Sequence, residues 1–109
     1  MLYLLNSAVV TTPGIYRYRL CDREEAVDLL RRADWVSTIG YEETAKALST
    51  LSGIDIPCPR TQIYMDAGDE GLVFRLTVRL ADPAVKGRIN DPEWIIDHCE
   101  MGILTKLED

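Results

Sequence analysis

The sequence contains few of the residues that build metal and redox centres. Among its 109 residues there is a single histidine, His98, and the only cysteines are Cys21, Cys58 and Cys99. Zinc sites use closely spaced His and Cys ligands, and disulfide frameworks use paired cysteines, and neither pattern is present. We therefore expect no metal and no other cofactor. Unpaired thiols also favour a reduced, cytoplasmic setting.

Positive charge and long apolar runs are scarce as well. The chain has 12 Lys and Arg against 18 Asp and Glu, so its net charge is −6. Binding of duplex DNA requires a basic face, and the composition argues against it. No run approaches the ~20 apolar residues that cross a membrane. The opening MLYLL lacks the basic region and cleavage site of a signal peptide. A few arginines in one cleft can still hold a small anion.

What is present predicts one α/β domain over residues 1–109. Apolar residues make up 47% and charged residues 28%, as in ordinary soluble domains. The elements do not alternate strictly, which predicts a mixed, mainly antiparallel sheet of about five strands flanked by helices. Strands are expected at 2–5, 15–20, 35–39, 61–65, 72–80 and 101–107, the last of these alternatively an extended tail, and helices at 23–33, 41–53 and 91–100.

Arginines mark one face of the predicted strand at 72–80. Arg75 and Arg79 share this face, and a short Asp- and Gly-rich turn would pair the strand antiparallel with residues 60–65. Arg60 would then come close to Arg79. Guanidinium groups suit phosphate because of their fork of donors. The alternative is a solvated face on which the arginines pair with carboxylates.

A second candidate feature is the joint between Ile39, Gly40 and Tyr41 in VSTIGYEETAKAL. A helix that begins after this glycine presents free N–H groups and a positive dipole end, which favour phosphate. Glu42 and Glu43 in the first turn oppose this by complementing the dipole themselves. Tyr41 is alternatively a packed, hydrogen-bonded aromatic residue.

The order of motifs resembles the viral type III anti-CRISPR ring nuclease family. It runs through LLNSAVVTTPG, VSTIG, IPCPR, QIYM, LVFRLTVRL and MGILTKL, and covers about residues 3–107. The resemblance implies a homodimer that binds cyclic tetra-adenylate in a pocket across its two-fold axis. Family members cut this ring to linear di-adenylates without metal: the ligand's 2′-hydroxyl attacks its own phosphorus, and the protein supplies alignment, charge and a proton.

The resemblance also implies roles for individual residues. The two arginines of the family match Arg60 and Arg79 in motif context, and its acidic residue matches Asp82, where Glu is usual. Asn6 and Ser7 match the N-terminal loop that lines the ligand. Arg75, from the strand pattern, and Ile39, Gly40 and Tyr41 of the joint complete the expected ligand-binding set.

The largest departure from the family pattern lies at the joint. The family has Ile-Gly-His, with the histidine as general acid, whereas this chain has Tyr41. An imidazole with pKa ~6.5 is suited to proton transfer near neutral pH, and a phenol at ~10 is a poorer donor. Such assistance is typically worth ~10²- to 10⁴-fold in rate. His98, the single histidine of the chain, is the only one that could take its place.

Three hypotheses follow. The first is a dimeric binder that sequesters a cyclic oligonucleotide messenger in the host cytoplasm, with weak or no cleavage. The second is an active ring nuclease in which Tyr41 and in-line geometry suffice for cleavage, with Asp82 as the other candidate catalytic residue. The third is a protein-interaction module whose ancestral pocket has degenerated.

Overall fold

In the computed structural model several elements depart from their predicted bounds. The strands predicted at 35–39 and 72–80 end at Ser37 and Leu76, and the helix predicted at 91–100 ends at Asp97, because Cys99 and Glu100 belong to a strand. The structure describes residues 1–8, 11–78, 82–88 and 90–109, with Lys86 described by its backbone alone. The strands are β1 (Leu2–Leu5), β2 (Ile15–Leu20), β3 (Trp35–Ser37), β4 (Glu70–Leu76) and β5 (Cys99–Glu108). The helices are α1 (Arg23–Arg32), α2 (Glu42–Ser52), α3 (Pro83–Lys86) and α4 (Pro92–Asp97).

The strands form one mixed sheet in the order β2-β5-β4-β1-β3. β1 lies parallel to both β3 and β4, and β5 lies antiparallel to both β2 and β4. The antiparallel ladders, with 6 and 7 residue pairs, are longer than the parallel ladders with 3 and 4. The predicted mixed, mainly antiparallel α/β sheet of five strands is confirmed.

Helix ends are fixed by local capping. Asp22 accepts a hydrogen bond from the Glu25 N–H and begins α1, and Asp91 does the same for α4 through Trp94. Gly53 ends α2 with φ 73°, in the left-handed region where a glycine has no Cβ penalty. These three boundaries agree with the sequence-based prediction because each depends on a residue at the boundary itself.

The predicted strand at 61–65 is wrong. Residues 60–65 form no ladder, and the predicted hairpin with 72–80 is absent, because β4 pairs with β1 and β5. The backbone of Met65 is instead bound by side chains: its N–H donates to Thr11 Oγ1 at 2.8 Å, and its carbonyl accepts from Thr12 Oγ1 at 2.7 Å. Lys106, a residue that is only 3% exposed, also donates to that carbonyl from its Nζ at 3.1 Å.

The two faces of the sheet are covered differently. On one face, Leu4, Leu72, Phe74 and Ile103 pack against α1, α2 and α4 in the main core. On the other, a smaller cluster of Leu5, Val73 and Leu104 is covered by Ile63 and Met65 from the unpaired segment. Segment 60–65 therefore takes the place of a covering helix on this second face, and it reaches the site described next.

Candidate functional site

An open cleft of about 950 Å³ lies at one edge of the sheet. Its walls come from the residues that end or follow β1, β3 and β4, the three mutually parallel strands, and from segment 60–63. Ligands of open α/β sheets bind in such a crevice outside the carboxyl ends of parallel strands, and the volume lies in the range of small-molecule sites. The lining residues are Leu5, Asn6, Ser7, Thr11, Thr38, Gly40, Tyr41, Thr44, Arg60, Thr61, Gln62, Ile63, Phe74, Arg75, Leu76 and Val78.

The ends of β1 and β3 are joined at the base of the cleft. Thr38 donates to the Leu4 carbonyl through both its N–H and its hydroxyl, and the Gly40 N–H donates to Asn6 Oδ1. Because Oδ1 is engaged, the Asn6 Nδ2 group faces the other way, and it is buried without a hydrogen-bond partner in the described structure. A buried unsatisfied donor is costly, ~1–3 kcal/mol, so the Asn6 amide would be stabilised by an acceptor brought within its reach.

Arg60 stands in the cleft in an unusual backbone conformation. Its φ is 54°, and it is the only non-glycine residue with positive φ in the described ranges. The Arg60 N–H donates to the Ile39 carbonyl at 3.1 Å, which ties the segment to the strand–helix joint. Residues held in left-handed backbone cluster at functional sites, because the surrounding structure must impose them. The guanidinium is exposed.

Arg75 reaches the same cleft from β4 but is paired. It lies directly opposite Glu100 in the β4–β5 ladder, and its Nη2 is 2.8 Å from Glu100 Oε2. Tyr18 donates its hydroxyl hydrogen to Glu100 Oε1 at 3.0 Å. Burial, followed by the bond to Glu100, raises the pKa of Tyr18 to about 12. The bonds from Arg75 and Tyr18 hold the pKa of Glu100 below its usual range.

A glycine makes the Tyr18 contact possible. A Cβ at Gly102 would collide with the ring and the Oη of Tyr18, so the ring crosses β5 directly over this position to reach Glu100. Neither Tyr18 nor Glu100 was expected from the sequence. Their partnership depends on the register of β2, β5 and β4 together, and only those pairings could have indicated it.

Tyr41 occupies the mouth of the cleft. It is the N-cap residue of α2, its side chain makes no capping bond, and it is 54% exposed. The first-turn N–H groups of α2 are therefore not satisfied by the Tyr41 side chain. His98 is placed differently: its ring stacks on Trp94 with centroids 4.0 Å apart, its Nδ1 lies 2.8 Å from the Trp94 carbonyl, and it does not line the described cleft.

The predicted site residues thus separate into three groups. Asn6, Ser7, Gly40, Tyr41, Arg60 and Arg75 line one cleft. Ile39 and Asp82 do not: the Ile39 side chain is fully buried in the main core, and the Asp82 carboxylate is exposed and caps α3 by accepting from the Ala84 N–H. Arg79 lies outside the described residues.

Two features are absent from the described residues. No group of three or more His, Cys, Asp or Glu side chains is placed there to hold a metal ion. None of the described helices combines the length and apolar character needed to span a bilayer.

The fold and the cleft define a small α/β domain with an arginine-containing crevice at the carboxyl ends of its parallel strands. The chain belongs to the STIV B116-like family, whose model matches residues 2–93. It is similar to "Uncharacterized protein 26" of Sulfolobus islandicus filamentous virus (isolate Iceland/Hveragerdi), with 36% identity over 99 residues covering 87% of this chain and 84% of that protein.

A second viral protein and a solved structure are also similar to this chain. "Uncharacterized protein ORF117" of Acidianus two-tailed virus is 32% identical over 98 residues, covering 85% of this chain and 84% of that protein. The structure of B116 of Sulfolobus turreted icosahedral virus matches with a TM-score of 0.71 at 20% identity, over 95% of this chain and 97% of that one. The structural likeness shows a shared fold, and the expected membership in a family of viral proteins is confirmed.

Proposed function

We propose that the protein binds a cyclic oligoadenylate second messenger in this cleft and sequesters it, with cleavage weak or absent. Such binding would lower the concentration of the messenger and weaken antiviral defence signalling. The proposal rests on the observation that Arg60, Arg75 and Tyr41 converge on one crevice at the carboxyl ends of the parallel strands. The likeness of the motifs to the ring nuclease family indicates which anionic ligand to test first.

The chemistry of the cleft suits a phosphodiester nucleotide. Arg60 is an exposed arginine, and the start of α2 has backbone donors without a side-chain cap. Asn6, which also lines the cleft, has a buried amide N–H group without a partner among the described residues. The apolar side chains of Leu5, Ile63 and others in the lining provide surface for bases. The protein remains acidic overall, so this positive charge is local.

The proposed assembly is a homodimer with one ring between two clefts. One described cleft presents two arginines, whereas a cyclic tetranucleotide carries four phosphates. A two-fold axis through the ring would supply each group twice, because an isologous interface repeats the same residues on both sides.

Sequestration is favoured over cleavage by the groups that the cleft lacks among the described residues. His98 is stacked on Trp94, and Asp82 is occupied as a helix cap, so neither lines the cleft. A tyrosine at the joint can donate a hydrogen bond to a phosphate oxygen but is a weak acid near neutral pH.

Calorimetry with a panel of cyclic di-, tri-, tetra- and hexanucleotides tests the proposal. We expect one ring per two chains, and binding of cyclic tetra-adenylate weakened roughly 10- to 100-fold by Arg60→Ala, since bonds to charged groups are worth ~1.5–3 kcal/mol. Arg17→Ala, which removes an exposed arginine of β2 outside the cleft, is the matched control. No binding of any ring would overturn the proposal.

Chromatography of the same mixtures distinguishes sequestration of the ring from its cleavage. We expect the ring to be recovered intact after long incubation. Multiple turnover to linear products that is lost in Tyr41→Phe would replace sequestration with active cleavage. Unimpaired antagonism of defence signalling in Arg60→Ala cells would favour a protein-interaction module instead.

A further inference from the structure

The two described arginines of the cleft differ in their ionic partners. Arg75 lies 2.8 Å from Glu100, while Arg60 has no carboxylate within 4.0 Å among the described residues. The electric fields of Arg75 and Glu100 largely cancel for a third group several ångströms away, whereas no described carboxylate compensates the charge of Arg60. Arg75 together with Glu100 therefore presents a local dipole to the cleft, whereas Arg60 presents a net positive charge.

The Arg75–Glu100 pair is also fixed in orientation. Direct opposition in the β4–β5 ladder sets its position, and Tyr18 holds the second oxygen of Glu100 from the neighbouring strand. Only Nη2 of Arg75 is bound to Glu100, so donors of the guanidinium fork remain for the cleft that Arg75 lines. A fixed, charge-compensated set of donors suits recognition of neutral acceptors, where geometry discriminates more than charge does.

We propose that Arg60 binds the phosphate charge of the ligand and that Arg75, oriented by Glu100, is the specificity-determining residue that donates to a neutral acceptor on the nucleoside. This inference rests on the proposed function and assigns phosphate binding and nucleoside recognition to two different arginines. Glu100 and Tyr18 are positioning residues: they set the direction and the net charge of the Arg75 group. The acceptor belongs either to a base edge or to a ribose hydroxyl.

The salt dependence of affinity separates these roles, because screening weakens interactions of net charge more than those of a compensated pair. Binding of cyclic tetra-adenylate is measured by calorimetry from low to moderate salt. We expect Arg60→Gln to flatten the salt dependence and Glu100→Gln to steepen it. Arg75→Gln combined with Glu100→Gln removes the compensated pair without changing the net charge, so this double variant should weaken binding roughly 5- to 150-fold with the salt dependence unchanged. Arg17→Gln is the control for loss of one distant charge.

Ligand discrimination supplies the second readout. We expect Arg75→Gln and the charge-conserving Arg75→Lys to lose preference among rings, while Arg60→Gln keeps the preference at lower affinity. Rings with guanine in place of adenine test a base edge, and rings methylated at the 2′-oxygen that does not form the linkage test a ribose acceptor. If the Arg75→Gln, Glu100→Gln double variant flattens the salt dependence as much as Arg60→Gln, and Arg75→Gln leaves discrimination intact, Arg75 binds phosphate and the inference is overturned.

If the wild-type chain binds no ring, the proposed function fails, and the roles of the two arginines are tested separately. A wild-type chain that binds no ring is then titrated with inorganic pyrophosphate, with the arginine side-chain N–H signals followed by NMR. Shifts at Arg60 without shifts at Arg75 support the division of roles even though the messenger was wrong. Equal shifts at both, or none at either, overturn it.

Discussion

At the scale of single residues, Arg60 combines a strained backbone with a role in the proposed binding of phosphate. Its left-handed backbone, φ 54°, costs a side-chain-bearing residue roughly 1–2 kcal/mol relative to glycine. Glycine loses part of this advantage, ~0.4–1 kcal/mol, through the greater freedom of the unfolded chain. We therefore expect Arg60→Gly to be more stable than Arg60→Ala by about 0.5–1 kcal/mol in urea unfolding. Both variants lack the guanidinium and should bind the ring equally weakly. Equal stability would show that the backbone of Arg60 is not left-handed.

Gly102 is the residue on which the Tyr18–Glu100 contact depends. In Gly102→Ala the added methyl group must displace the Tyr18 ring, and the hydrogen bond to Glu100 is lost. We expect the pKa of Tyr18 to fall from about 12 toward the ordinary ~10, measured from the ring carbon signals of labelled tyrosine by NMR.

Gly87→Ala is the matched control for this change. Gly87 ends α3 with φ −75°, and a Cβ there meets open space. This variant should leave the titration of Tyr18 unaltered. A Tyr18 titration in Gly102→Ala that matches the wild type would mean that the ring does not cross β5 at this position.

At the scale of elements, local signals determined where the predictions succeeded. The starts of α1 and α4 and the end of α2 were predicted from Asp22, Asp91 and Gly53, because a cap acts within one turn of the residue that carries it. The apolar run of β1 and the alternating side chains of β2 and β4 placed these strands within a few residues of their observed bounds.

Pairing between distant segments could not be predicted in the same way. Residues 61–65 have the composition of a strand, but Thr11, Thr12 and Lys106 satisfy the backbone of Met65 from far along the chain. β4 likewise pairs with β5 and β1 instead of its sequence neighbour. The contacts of Glu100 with Tyr18 and Arg75 depend on those pairings, so sequence patterns alone could not predict this part of the site.

The bond that holds segment 60–65 can be tested directly. In Thr11→Val the Met65 N–H loses its acceptor in a partly buried position, which costs about 1–3 kcal/mol. We expect lower stability in urea and faster hydrogen exchange at the Met65 amide. Thr50→Val, an exposed threonine of α2, is the control and should change neither. Unchanged exchange at Met65 would show that Thr11 does not bind this segment.

At the scale of the whole molecule, the two-sided covering of the sheet explains where function can arise. Helices fill one face, so the other face is left to a segment held by side chains, and this segment supplies one wall of the cleft. The parallel strands β1, β3 and β4 supply the remaining walls because their carboxyl ends meet at one edge. The site is thus a consequence of strand order as much as of the residues it contains.

The response of stability to alkaline pH gives a final test that concerns the core. Burial raises the pKa of Cys99 from 9.0 to about 11, because the thiolate is disfavoured among apolar neighbours. Between these pH values the unfolded thiol loses its proton while the folded one keeps it, so the unfolded state binds fewer protons and stability falls as pH rises. We expect the free energy of unfolding of the wild type to decline from pH 9 to about 11, measured in urea.

Cys99→Ala should show a shallower decline, and Cys99→Val, which also lacks an ionisable group, should show the same shallower decline. The remaining slope comes partly from Cys21 and Tyr18, whose pKa values burial also raises. A decline as steep in both variants as in the wild type would place the Cys99 thiol in solvent and contradict its position beside the main core.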